Sequence, residues 1–478
     1  MILRLCFLLS FAAALLSAHV GVNEVYLESL AGPYPLHVVI RPPSVIPGVA
    51  EIEVRGLAKD IQSIRLTPMT LTGAGAKYPP TPESAIRSQQ DPQYWTGSVW
   101  IMAPGSWQIR FLVQGARGEA ALSVPVLAAS NKVARMDPPM AWILILLIAL
   151  LVAGAVGIAG AAVAEARLAP GETSISPRKL FLTRALSLAL AAGVLWLGWQ
   201  WWESESQAYA ATLYKPLAMD VNQDGAKLSV KLRHTGWFQS KSLKNLLEEH
   251  GHRMHLFLIR EASPGALYHL HPVSQSQAAF EFALPALTSG AYRVFADIVH
   301  ANGFAETITS RTQLNSVFPQ VSSIPPDDAG LDFAKLAPSG RDYPLTNGWK
   351  VRFLPTNELA LGRPIKLHFL VLDGEGNVVK NLRPYLGMQG HLIIFRKDYS
   401  VFAHLHPAGT PSMSALEIAS RSLGLAPPAD ETFHSPNTST EGDLSFPFGF
   451  TNPGQYHAVL QFRDSKQIYS AVFDFYIQ

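Results

Sequence analysis

Two stretches of this 478-residue chain carry one device written twice, and they constrain its fold more than any other feature. Met254–Pro272 reads MHLFLIREASPGALYHLHP, and Met388–Pro407 reads MQGHLIIFRKDYSVFAHLHP. In each, two apolar, β-rich runs flank a polar turn, which is the pattern of a β-hairpin. In the second copy, a turn centred on Asp398-Tyr399 sets Arg396 opposite Val401. Counting back then sets His391 opposite His406. Side chains alternate faces along a strand, so His404 and His406 share a face. His391 joins them from across the ladder, where opposed Cβ atoms lie roughly 5 Å apart. The spacing therefore predicts three imidazoles converging at one end of a sheet.

The first copy predicts the same for His255, His269 and His271. The His255-to-His269 interval is 14 residues and the His391-to-His404 interval is 13, so the turns differ by one residue. Similarity continues past the hairpins. Phe280-Glu-Phe and Gly290-Ala-Tyr292 follow the first, and Leu444-Ser-Phe446 and Gly454-Gln-Tyr456 follow the second. The repeat is thus a whole domain. Residues 203–478 hold 13 of the 15 histidines.

Imidazole is a ligand for copper, zinc and nickel. The predicted metal ligands are His255, His269 and His271 in one repeat and His391, His404 and His406 in the other. Met388 could add a thioether for Cu(I), and His250 and His252 could complete the first site. His300, at the Asn302-Gly303 turn, and His434 are weaker candidates. His234, His368 and His457 read as surface or strand residues. Asp297 or Glu281 could serve as a base for metal-bound water. Among hydrolase or nucleotide motifs, the chain carries no G-x-S-x-G, H-E-x-x-H or phosphate loop, so the sequence gives an enzyme little support.

Residues 1–18 read as a signal peptide, with Arg4 before the apolar Leu5–Leu16 and Ala18 at the cut. An uncleaved anchor is the alternative. The one cysteine, Cys6, lies inside this segment, so a cleaved chain has no thiol and its soft-metal chemistry falls to His and Met. Cleavage after Ala18 would leave His19 as the N-terminus, able to chelate Cu(II) through its amine and ring.

Residues 19–130 show short β-rich runs separated by turn signals, as in a small β-sandwich. Lys77–Gln93 reads as a long loop. Residues 139–164 and 180–202 read as transmembrane helices, the second ending in Trp196, Trp199, Trp201 and Trp202. The 165–179 loop carries Arg167, Arg178 and Lys179, and the positive-inside rule places it in the cytoplasm. Both large segments then lie on the extracytoplasmic side. A hydrophobic content of 48% with 15% charged residues suits such a chain. The net charge of +2, without basic clusters, argues against nucleic acid as a partner. The repeats span 213–312 and 346–478, with 313–345 as a linker. Ala408–Asp443 is an insertion read as a lid or as disordered chain.

Several motifs carry a resemblance: His19-Val-Gly, Ala31-Gly-Pro-Tyr34, Pro47-Gly-Val-Ala50, Met254-His-Leu-Phe257, the two His-Leu-His-Pro runs, Gly303-Phe304, and Gly409-Thr with Ser412-Met413. Together they resemble bacterial membrane-anchored extracytoplasmic proteins with repeated His-Leu-His-Pro domains. The individual domains resemble YtkA-like and copper-resistance-C-like β-sandwiches, and the latter likeness implies copper at a terminal His. The expected protein is mainly β: three immunoglobulin-like sandwiches plus a two-helix transmembrane hairpin. Its expected role is metal binding, copper before zinc, in copper handling or resistance beside another membrane or periplasmic cuproprotein. The competing reading is a non-catalytic scaffold at the outer membrane face, its His clusters structural.

Overall fold

Alternation of apolar and polar residues marks the first sandwich's strands. In Gly48–Gly56, Ala50, Ile52 and Val54 are buried while Glu51 and Arg55 face water. The computed structural model describes residues 24–133, 136–166, 171, 176–236, 243–261, 265–318, 325, 327–332, 341–355, 359–380, 382–424 and 442–478. The expected signal peptide, Cys6, His19, His434 and most of the 165–179 loop lie outside them. The protein is mainly β, with six sheets and three described helices. Met1–Ala129 with Lys215–Gln478 form one unit, and Ser130–Tyr214 form the other.

Within the first unit the sheets pair into three sandwiches. The N-terminal one packs a five-stranded sheet on a four-stranded sheet around Tyr34, Ile52, Trp95, Phe111 and Val124. Its expected 77–93 loop contains two short strands, Glu83–Ser84 and Ile86–Arg87, each pairing at a sheet edge.

In the first repeat the central strand is His255–Arg260, between Ala266–Leu270 and Gly290–Val299. In the second it is His391–Arg396, between Phe402–Leu405 and Gly454–Arg463. Both central strands are buried on both faces except at the terminal arginine, which is why their sequences run apolar without alternation. Leu256 and Leu258 enter the first repeat's own core. Phe257 and Ile259, on the opposite face, enter a core shared with the second repeat. Phe402 stacks on Phe295 at 4.2 Å and meets Phe257 at 5.1 Å. The histidine-bearing faces of the two repeats therefore pack against each other.

Two segments expected to be irregular are structured. Ala329–Asp332, within the 313–345 stretch, adds a strand to Ala266–Leu270. Within the Ala408–Asp443 insertion, Met413–Arg421 is a helix, here α3; residues 425–441 lie outside the described set. Ser412 caps α3 through Ala415 N–H, and Leu416 packs into the N-terminal sandwich. That amphipathic nine-residue run was hidden by the Pro- and Ser-rich sequence around it.

The second unit contains α1, Pro138–Ala166, and α2, Pro177–Ala211. Both are long and apolar enough to cross a membrane. Gly160 is buried where α2 passes, and a side chain there would press on Arg184.

Candidate metal centre

The hairpin register places the histidines. In the first repeat Leu256 pairs with Leu270, so His255 and His271 stand next in line across the ladder. In the second, Leu392 pairs with Leu405 and Arg396 N–H donates to Val401 O, so His391 stands across from His406. Each strand then turns its histidines to the inter-repeat face.

In the first set, His255 Nδ1 lies 3.0 Å from His269 Nε2 and 3.2 Å from His271 Nε2. The other nitrogen of each ring is held from outside. His255 Nε2 is 2.9 Å from the Glu249 carbonyl, His269 Nδ1 is 2.9 Å from Gln461 Oε1, and His271 Nδ1 is 2.9 Å from Asp328 Oδ1. A carbonyl only accepts, so His255 Nε2 carries the proton and His255 Nδ1 presents a lone pair. With an amide oxygen and a carboxylate behind the other two rings, all three inward nitrogens present lone pairs to one another. Buried lone pairs at hydrogen-bond distance from His255 Nδ1, without a hydrogen between them, repel unless a cation sits among the three. Outer-shell partners of this kind fix the tautomer of metal-bound histidine.

The second set follows the plan in part, since His406 Nδ1 is buried without a hydrogen-bond partner. His391 Nε2 donates to the Tyr385 carbonyl, six residues upstream, as His255 does to Glu249. Its Nδ1 faces His404 Nε2 at 3.1 Å. His404 Nδ1 is 3.4 Å from Asp297 Oδ2. His250 was expected to complete the first set. It joins the second instead, with its Nε2 3.1 Å from His406 Nε2. Ligand atoms of His250, His391 and His406 lie within 4.8 Å of one another, as do those of His255, His269 and His271.

His252 stacks on His271 at 4.1 Å, its Nε2 3.5 Å from Asp327. It ends a tight turn, Glu249–His252, with positive φ at His250 (54°) and Gly251 (81°). Tyr385–Met388 is the matching turn, with positive φ at Leu386 (51°) and Gly387 (73°). Met388 thus occupies in the second repeat the position of His252 in the first, and it is buried. Met254 belongs to the first repeat's apolar core. His300 pairs with Glu306 at 3.0 Å, His368 with Asp443 at 2.6 Å and His457 with Asp474 at 2.5 Å. Glu281, a candidate base beside the first set, instead pairs with Lys227 in the other sheet. Asp297 meets His404 of the second repeat rather than the first set alone.

Burial sets the electrostatics. It lowers the pKa of His250 to about 3, His255 to about 4 and His406 to about 3, and it pushes His269, His271, His391 and His404 down as well. It raises Asp297 to about 7 and Asp328 to about 6. The cluster is therefore a set of neutral imidazoles at pH 7, the protonation state a metal ion requires.

Sequence reasoning missed that the two sets share one interface, and it missed Gln461, Asp328, Glu249 and Tyr385. A signal existed for Gln461 and Asp297, which are the ladder partners of His391 and His255 on the neighbouring strands.

The family described as "Domain of unknown function (DUF8832)" matches residues 207–315 and 345–478, which include both repeats as the sequence bounds them. No curated protein matches the chain. Among solved structures, the tetra-tandem repeat in the extending region of a large adhesion protein is 9% identical, covering 92% of this chain and 72% of that one, with a TM-score of 0.17. The chicken interferon gamma receptor alpha chain is 7% identical, covering 60% and 99%, with a TM-score of 0.17. A Corynebacterium diphtheriae protein described as membrane anchored is 8% identical, covering 95% of each, with a TM-score of 0.14. At such scores none of these likenesses bears on what the chain does.

Proposed function

This chain belongs to the DUF8832 family, and we propose that it is a membrane-anchored metal-binding protein whose His cluster takes up copper, with zinc as the alternative ion. The observation that carries this reading is the first set's three inward lone pairs, with His255 Nδ1 3.0 and 3.2 Å from the other two and each ring backed by an outer acceptor. A neutral, all-nitrogen ligand set favours Cu(II) over Zn(II) by affinity order. In this reading α1 and α2 span the membrane as an anchor. The sandwiches face the extracytoplasmic side, where the protein holds or hands on copper in handling or resistance. His19 and Met388 remain proposed ligands, His19 if it becomes the N-terminus.

Metal content of the tag-free full chain in detergent tests it, beside the His255→Gln/His269→Gln variant. The expected result is stoichiometric copper or zinc that the variant loses while keeping its circular dichroism. No metal above background, even after incubation with Cu(II) and Zn(II), contradicts the reading.

One observation favours the scaffold reading. Rings of each repeat are held by the other, His269 by Gln461 and His404 by Asp297, so the cluster also fastens the two domains together. A metal-free protein of unchanged stability in which Gln461→Leu separates the repeats would support that role.

A further inference from the structure

We propose that the two histidine sets form a single dinuclear centre, built across the repeat interface and taking two divalent, nitrogen-preferring ions a few ångströms apart. The inference rests on the metal-binding reading above and adds the number of ions and their coupling.

The two sets are related as copies. His255 and His391 each start a central strand, each donate Nε2–H to a carbonyl six residues upstream, and each turn Nδ1 inward. The tautomer argument carries over to His391, through the Tyr385 carbonyl, and to His404, through Asp297, while His406 Nδ1 is buried without a hydrogen-bond partner.

The sets are also interlocked. His404 of the second repeat lies 5.4 Å from His255 and 5.3 Å from His269, centre to centre. His250 of the first repeat supplies a ring to the second set, 5.2 Å from His391. The outer partners cross over. Gln461, ladder partner of His391, holds His269 of the opposite repeat. Asp297, ladder partner of His255, stands behind His404. The first set draws all three rings from the first repeat but an outer partner, Gln461, from the second, while the second set borrows the His250 ring from the first.

Charge is divided accordingly. Asp328 backs the first set through His271, and Asp297 backs the second through His404. Two dications in a buried pocket need such compensation, and each set has a carboxylate one ring away.

The test is Cu(II) titration of the tag-free full chain carrying His19→Ala, followed by electron paramagnetic resonance. The expected result is two equivalents bound, with signal intensity below that of two isolated ions and a half-field transition from an interacting pair. His391→Gln/His404→Gln should then bind one equivalent, with the full intensity of an isolated ion. If that variant does not fold, the parent chain's stoichiometry and spectrum decide alone. One equivalent, or two with the spectrum of isolated ions, overturns the dinuclear centre and leaves metal binding standing. No bound copper, with no zinc bound in a parallel titration, overturns both.

Discussion

Gln461 is the residue whose role most clearly separates a ligand set from a packed core. It is fully buried, and its amide oxygen holds the outer nitrogen of His269, a residue from the other repeat. Gln461→Leu keeps the volume and removes the acceptor, freeing His269 to take the wrong tautomer. Loss of such an outer partner weakens metal affinity by about 10- to 100-fold. Isothermal titration with Zn(II) should show that loss, while affinity unchanged within twofold would contradict the tautomer argument. The pH dependence of the metal-free protein follows from the same rings. Seven buried histidines stay neutral in the fold, but in the unfolded chain they protonate near pH 6.5. The unfolded state then binds more protons, so stability falls as pH drops below 6.5, by about 1.4 kcal/mol per pH unit for each such ring. Asp297 and Asp328, raised to about 7 and about 6, act in the opposite sense and offset part of it. The urea midpoint of metal-free protein should fall between pH 7 and pH 5, and a flat midpoint would contradict the burial of neutral rings. At this scale the sequence was legible where local periodicity ruled: two-residue alternation and a short turn put His391 across from His406. It assigned His250 to the first set rather than the second, because which set that ring joins depends on how two domains dock.

At the scale of elements, α3 and the strap leading into it tie the cluster to the N-terminal sandwich. The Glu249 carboxylate accepts from Met413 N–H at 2.5 Å, and from Ser414 N–H and Ser414 Oγ–H at 3.1 and 2.8 Å. Its own carbonyl accepts from His255. One residue thus anchors the N-terminus of α3, where a negative charge suits the helix dipole, and positions a ring of the first set. Glu249→Gln should loosen α3 by about 1–2 kcal/mol through the loss of charge-assisted hydrogen bonds. Hydrogen exchange should show faster amides in Met413–Arg421 and unchanged protection in His255–Arg260; equal protection in both would refute the anchoring role. Just upstream, Gly409 has φ +141°, and a Cβ there would overlap the Tyr26 carbonyl oxygen. Glu28 N–H donates to Ala408 O and Thr410 N–H to Tyr26 O on either side. Gly409→Val should lower the thermal midpoint and expose Tyr26 to quenching, and a wild-type midpoint would deny the close approach. The apolar hairpin strands were readable because both faces are buried. The strap was not, because its conformation is set by the surface of another domain.

For the whole molecule, the sequence conveyed the mainly β architecture and the two apolar helices, since each depends on patterns within one segment. It did not convey that the two repeats close on each other through their histidines, because face-to-face docking leaves only apolar, uninterrupted strands as its mark, and a strand's own sheet explains that equally well. The proposed topology has its own test. Apart from Cys6, which Cys6→Ala removes, the chain has no cysteine, so single thiols report sidedness directly. In that background Ser276→Cys should react with a membrane-impermeant maleimide in intact cells, and Gly171→Cys only after lysis; the reverse pattern would invert the orientation. The central claim, a metal ion held by imidazoles, is tested most directly by X-ray absorption at the metal edge of the protein purified as expressed. The account predicts copper or zinc with a nitrogen shell near 2.0 Å, imidazole outer-shell scattering and no short thiolate shell of the kind found near 2.3 Å. A protein that carries neither metal, or whose bound metal shows an oxygen-only shell without imidazole scattering, would contradict it.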